Sequence, residues 1–439
     1  MKALRWLTRV GPAFVIAAVV LGPGSVTTMT KMGAAQGYTM LWLPLVAGVF
    51  MAGFVTLFMR FGIASTKSYL QHCADTLGRP FAALCGFSMF YIATAFQFGN
   101  NIGVTTAVNS LVTRGGAPAP VQPWVWPVVF NALALLFLFG FRRIYTILER
   151  AMTLLVAVML IAFFVNLFVA KPSVAGIARG LVPSLPRGLD WMVAAGLVAT
   201  TFSIVGAIFQ TYLVRARGWK QEDYSKGVAD AVSGIGMLTL ISMVIMTTSA
   251  AVLHPRGVDV KSAADMAVQL ERTFGAASRV IFCVGFAAAA FSSFLVNAMI
   301  GGTLLADGFG LGDDINSLPA KVCSAISLVV GMVVAILVTQ LKAIDFLDAL
   351  VAAQAGTLLA IPLAIVSALV VLYGPRGAGV RPLGPFAKGF VALGTAVLVA
   401  IAARSYAGTL RNLRKMFRRQ AAQAAAAERF ERQSSTAHE

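Results

Sequence analysis

Residues 10–30 read VGPAFVIAAVVLGPGSVTTMT. The run carries no charge and is long enough to cross about 30 Å of hydrocarbon as a helix. Inside it sits Gly22-Pro23-Gly24-Ser25. Proline removes a backbone donor, and glycine costs about 1 kcal/mol against alanine in a helix. Two glycines around a proline therefore predict a helix broken at mid-membrane, with a simple proline kink as the alternative reading. Broken backbone is tolerated there only where it is buried in protein or lines a polar cavity.

The same pattern extends outward along the chain. Charges punctuate eleven uncharged stretches, at 10–30, 32–59, 80–113, 115–141, 151–170, 191–214, 231–253, 280–306, 322–341, 349–374 and 389–403. We read eleven helices, an all-α integral membrane protein, with no soluble domain. Residues 1–403 form the transmembrane domain and 404–439 a basic amphipathic tail suited to lie on headgroups. Composition agrees: 58% of the 439 residues are hydrophobic and only 12% charged, against about 25% charged in a soluble domain. Mean hydropathy is +0.82. The apolar start is too long for a cleaved signal peptide and is followed at once by another span.

Several function classes are excluded or weakened. The four cysteines form no C-x-x-C pair and there are only three histidines, so a thiolate site, a disulfide framework or a His-rich centre has little to draw on. No phosphate-loop motif occurs, which argues against an ATP-driven pump. No cofactor is predicted, and the lack of buried acids and histidines argues against an enzyme. The net charge of +18, spread over loops and tail, suits anionic lipid rather than nucleic acid. Short loops richer in Lys and Arg place the N-terminus in the cytoplasm, in a plasma or inner membrane. Eleven spans then put the basic tail outside. Either the charge rule fails there or the count is off by one.

The sixth stretch holds Thr200, Thr201, Ser203, Gly206, Gln210 and Thr211 in an otherwise apolar run. Such a span should face protein or water. Lying five spans after the broken first one, it predicts a five-plus-five inverted repeat plus one, with two discontinuous helices framing a midplane site. The sixth span has no central proline, so its break rests on Gly206 alone.

These residues, taken in order, resemble the NRAMP family (natural resistance-associated macrophage proteins). Gly11-Pro12-Ala13-Phe14 and Gly22-Pro23-Gly24-Ser25 are similar to its G-P-G-F and D-P-G-N. Gly37–Trp42, Arg60–Leu70, Leu148-Glu149, Ile204–Ala207, and Gln354 followed by Ile361-Pro362 match further family motifs. The resemblance implies a LeuT-type fold and a secondary transporter moving a divalent metal ion by alternating access, coupled to protons. By the same resemblance the substrate-binding candidates are Gly22, Ser25, Ala207, Gln210, Thr211 and Gln354, which would also be the metal positions. Gln97, Asn100, Asn101 and Tyr212 are the candidate relay or polar lining. An alignment anchored on Tyr212-Leu213 instead shifts the helix-six assignments by three residues.

The departures from the family bear on chemistry. Gly22 and Ser25 stand where the family has aspartate and asparagine, and Gln210 where it has methionine. The span-three match offers only amides. No Asp or Glu lies inside the eleven stretches. A dehydrated divalent cation needs anionic ligands, whereas a hydrated one can use neutral oxygens. Asp230, Asp345 and Asp348 lie near span ends, as caps or gates. Transport of a non-metal small solute, or a non-transporting sensor or partner subunit, remain alternatives. Membrane lipids and the substrate are the expected partners; the sequence leaves the oligomeric state open.

Overall fold

A computed structural model describes residues 22–113, 121–140, 142–341, 345–374 and 382–406. The motif at 11–14 and the tail beyond 406 lie outside them. No strand occurs among the described residues.

Helix α1 (Pro23–Gln36) begins at the Gly-Pro-Gly-Ser motif. Gly22 is its extended N-cap (φ −83°, ψ −177°), and Pro23 takes the first helical position, where its missing N–H is no loss. The first five spans continue with α2 (Trp42–Ala64), a short α3 (Tyr69–Leu77), α4 (Arg79–Val112), α5 (Val125–Phe139) and α6 (Arg142–Ala170). After the short α7 (Val174–Gly180) the sixth span is split into α8 (Trp191–Thr201) and α9 (Ile204–Ala216). Then come α10 (Tyr224–Val252), two short helices α11 (Ala263–Ala267) and α12 (Glu271–Phe274), α13 (Ala277–Gly308) and α14 (Leu318–Leu341). The tenth span is a bent pair, α15 (Phe346–Gly356) and α16 (Ile361–Tyr373), and α17 (Pro385–Tyr406) is the eleventh.

Eight helices among the described residues are long and apolar enough to cross a membrane, and the bent pair makes nine. The apolar α5, with 15 residues, and the described part of the first span complete the eleven.

The break in the sixth span does not fall on Gly206 as expected. It lies at Phe202–Ser203, where Phe202 leaves helical geometry (φ −102°, ψ 72°). The Ser203 hydroxyl accepts the Gly206 N–H at 3.2 Å. A serine N-cap gives a restarting helix its first acceptor, so no proline is needed. The tenth span bends by 44° at Ala360, ahead of Pro362. Carbonyls freed by that bend are taken up by side chains. Ser88 donates to Ala360 at 2.8 Å, Tyr406 to Leu358 at 3.2 Å, and Thr357 to Gln354 at 2.7 Å. This is how irregular backbone survives at membrane depth.

Packing follows a two-fold scheme. Span one packs on span seven as span six packs on span two; span three packs on ten as eight packs on five; three and eight pack along each other. Glycines permit the close approaches. An added Cβ at Gly302 of α13 would lie 2.4 Å from the Ser324 backbone nitrogen and 2.5 Å from the Ala320 carbonyl oxygen. Neither backbone atom can yield by a rotamer change. Gly302→Val is therefore expected to lower the apparent melting temperature in detergent by the equivalent of about 3 kcal/mol or to abolish folded yield. Gly236→Ala, which meets nothing within 4 Å, should leave or raise it. Equal melting temperatures for Gly302→Val and the unmodified protein would refute the α13–α14 contact.

The outer surface is apolar, with Leu154, Ile161, Phe168, Val322, Leu337 and Leu393 exposed. Such a belt suits lipid. At one edge the Arg404 guanidinium lies 5.3 Å from the centre of the Trp191 ring, a cation–π contact between spans eleven and six.

Candidate functional site

The start of α1, the sixth-span break and the end of α15 meet at one cavity of about 30 Å³. Gly22, Gly24 and Ser25 come from the start of α1, and Thr200, Ser203 and Gly206 from the two sides of the sixth-span break. Gln354 comes from the end of α15, Phe96 and Asn100 from α4, and Asn297 and Ile300 from α13. A water needs about 10–15 Å³ by this measure, so the space fits about two water-sized particles.

Gln354 is built into the site by glycines. An added Cβ would lie 2.7 Å from its amide nitrogen at Gly24 and 2.6 Å at Gly99, and 3.4 Å from its Cβ at Gly196. Two helices, α1 and α4, thus lack side chains where this one amide passes. Gln354 is 1% exposed, and its carbonyl oxygen has no hydrogen-bond partner among the described residues. A buried acceptor left unmatched costs about 1–3 kcal/mol and so marks a place for a donor or cation. Thr200, in the last turn of α8, donates its hydroxyl to the Leu197 carbonyl at 3.1 Å, and its own backbone carbonyl is among those a helix end leaves without an intrahelical donor.

Of the sequence candidates, Gly22, Ser25, Asn100 and Gln354 line this cavity; Ala207, Gln210, Thr211, Gln97, Asn101 and Tyr212 are not among its lining residues. The helix-six register explains the first group of misses. Restarting at Ser203 puts residues 207–212 inside α9, beyond the break, so Thr200, Ser203 and Gly206 occupy the place expected of Ala207 and Gln210. Gln210 is fully buried with neither amide atom hydrogen-bonded among the described residues, and the Thr211 backbone packs on Gly62. Asn101 accepts a hydrogen bond from Asn131 of α5 and donates to the Gln97 carbonyl at 2.9 Å, a structural tie between α4 and α5. Gln97 accepts from Asn100 at 3.3 Å, holding that amide at the cavity wall.

Asn297 was missed, though an asparagine in the apolar run FSSFLVNAM was a legible signal. Asp307 was missed for a different reason. The expectation of carboxylate-free spans fails because α13 runs past the uncharged stretch and carries Asp307, 4% exposed. Its partner is Tyr212, which donates to it at 2.6 Å. Asp348, expected as a cap or gate, pairs with Lys31, tying α15 to α1.

Among the described residues, no three His, Cys, Asp or Glu side chains gather as a metal cluster. The polar side chains among the cavity's lining residues are three hydroxyls, two asparagine amides and one glutamine amide, all neutral. Oxygen donors of this kind suit hard cations.

A family model described as natural resistance-associated macrophage protein-like matches residues 13–407. The chain belongs to the Nramp family. Relatives of this Nramp chain include the divalent metal cation transporter MntH of Pectobacterium carotovorum, 27% identical over 299 residues, covering 67% of this chain and 71% of that one. The MntH of Deinococcus radiodurans is 24% identical over 313 residues, 69% of each chain. The manganese transporter of Eremococcus coleocola superposes with a TM-score of 0.68 at 17% identity, over 90% of this chain and 85% of that one. MhsT in complex with L-phenylalanine superposes at 0.57 with 14% identity, over 90% and 98%. The fold is thus the LeuT-type five-plus-five repeat with one added span, in a multi-pass integral membrane protein.

Proposed function

We propose that this Nramp-family chain is a secondary transporter that carries a hard divalent cation, with part of its water shell, across the membrane by alternating access. One observation carries the reading: the start of α1, the sixth-span break and the end of α15 meet at a cavity of about 30 Å³ walled by neutral oxygen donors, with no carboxylate or thioether among its lining residues. The space holds a cation with one or two waters. Neutral donors cannot repay the full dehydration of a divalent ion, so retained water supplies the difference. The metal transport named for the MntH relatives supports this class of substrate.

In this reading Gly22 and Thr200 offer carbonyls, Ser25 and Ser203 hydroxyls, and Asn100, Asn297 and Gln354 amide oxygens. The N-terminus faces the cytoplasm, as the basic loops require, and anionic headgroups contact the basic surface.

Uptake into proteoliposomes tests it. The unmodified protein should take up Mg²⁺ in preference to Mn²⁺ or Cd²⁺, and Gln354→Leu should slow uptake by about tenfold. No uptake of any of the three cations would overturn the reading.

A further inference from the structure

We propose that Asp307 is a proton-binding site whose ionised form latches the half-helix α9 to the inner end of α13 and the start of α3.

The geometry is that of a built acceptor. Asp307 Oδ2 accepts the Tyr212 hydroxyl at 2.6 Å, and Oδ1 accepts the Ser68 hydroxyl at 2.9 Å. Ser68 is itself the N-cap of α3, accepting the Gln71 N–H at 3.1 Å. One carboxylate therefore joins three elements. Hydrogen bonds to a charged acceptor are roughly twice as strong as neutral ones, so this junction is strong only while Asp307 is ionised. Protonation removes the charge that both hydroxyls address and leaves their bonds ordinary.

The groups facing Asp307 come from every element packed on it. Tyr212 faces it from α9, and Cys73 from α3. Burial pushes the Cys73 thiol well above its usual range, so it stays neutral and does not compete. From α4, the Arg79 guanidinium donates to the backbone carbonyl of Asp307 at 3.1 Å. Asp313, in the segment after α13, is a second negative neighbour. It is held by Arg215 of α9 at 2.8 Å. Asp313 is partly exposed, which puts this neighbour of Asp307 at a water-facing rim.

The latch reaches the cavity mechanically. Ser203 caps the first turn of α9 at the cavity, and Tyr212 lies nine residues further on, about 14 Å along one rigid helix. Binding a proton at Asp307 frees the far end of the helix whose near end walls the cavity. The residue that carries charge-linked motion is thus absent from the cavity itself, where every side-chain donor is neutral.

Hydrogen exchange read by mass spectrometry on the full chain in nanodiscs tests this without any transported substrate. Exchange times are corrected for the intrinsic effect of pH. Residues 204–216 should open about tenfold more often at about pH 5.5 than at about pH 7.5 in the unmodified protein. Asp307→Asn should open at the faster rate at both values. Tyr212→Phe keeps the carboxylate and should also lose most of the pH dependence, which decides the matter if Asp307→Asn fails to fold. A purely structural Asp307 would instead give α9 protection that does not change with pH in the unmodified protein. That result, or unmodified pH dependence surviving in Tyr212→Phe, would overturn the proposal.

Discussion

Gly22→Asp combined with Ser203→Met is expected to bind Mn²⁺ about 100-fold more tightly than the unmodified protein, measured by calorimetry in detergent. The factor corresponds to about 2.7 kcal/mol, a modest return for adding an anionic ligand to an all-neutral site. Both positions line the cavity. Gly22 has extended geometry that any residue adopts, and aspartate is among the best N-cap residues, so the fold should accept it. The thioether adds a soft donor, which favours Mn²⁺ and Cd²⁺ over Mg²⁺. Gly22→Asp with Gln210→Met is the control for register. Because Gln210 lies inside α9 and is not among the lining residues, its thioether should add nothing to the single Gly22→Asp variant. If Gln210→Met adds affinity and Ser203→Met does not, the helix-six break has been placed wrongly.

The second large effect comes from residues with no side chain. Gly24→Ala and Gly99→Ala should each weaken cation binding by about tenfold, close to the loss in Gln354→Leu. A methyl group at either glycine would sit within 2.8 Å of the Gln354 amide. The clash is with the end of a flexible side chain, so the amide moves and the helices stay. Melting temperature should then change by only a few degrees or less, about 1 kcal/mol in stability. Binding that survives in both variants would show that the Gln354 carbonyl oxygen is not a ligand. Loss of folding in both would show that the glycines serve packing alone.

Much of the fold was legible because a membrane leaves its constraint in local composition. The spacing of charges set eleven spans, and the Gly22–Ser25 motif marked where α1 starts, since proline and glycine act on their own backbone. Polarity in the sixth span marked it as facing the interior. The tenth-span bend was not expected from the sequence; it lies just ahead of Pro362, and Ser88 and Tyr406 reach its freed carbonyls from other helices.

The site was only half legible. Gly22, Ser25, Asn100 and Gln354 were readable as polar or helix-breaking residues in apolar runs, and they do meet at one cavity. Whether helix six presents Ser203 or Gln210 to that cavity turns on where the helix restarts, and the two are separated by about two turns of the same apolar stretch. Local sequence contains a cap signal at Ser203 but no scale for its depth relative to the other spans. The chain alone thus determined the medium and the number of crossings, because each follows from transfer of single residues between water and lipid, and the helix-breaking motif, because proline and glycine act on their own backbone. Tertiary structure decided the ligand set, the glycine slot around Gln354 and the burial of Asp307 under Tyr212 and Ser68. Those are contacts between residues 95 to 330 positions apart, whose energies depend on approach distance and not on the identity of neighbours in sequence.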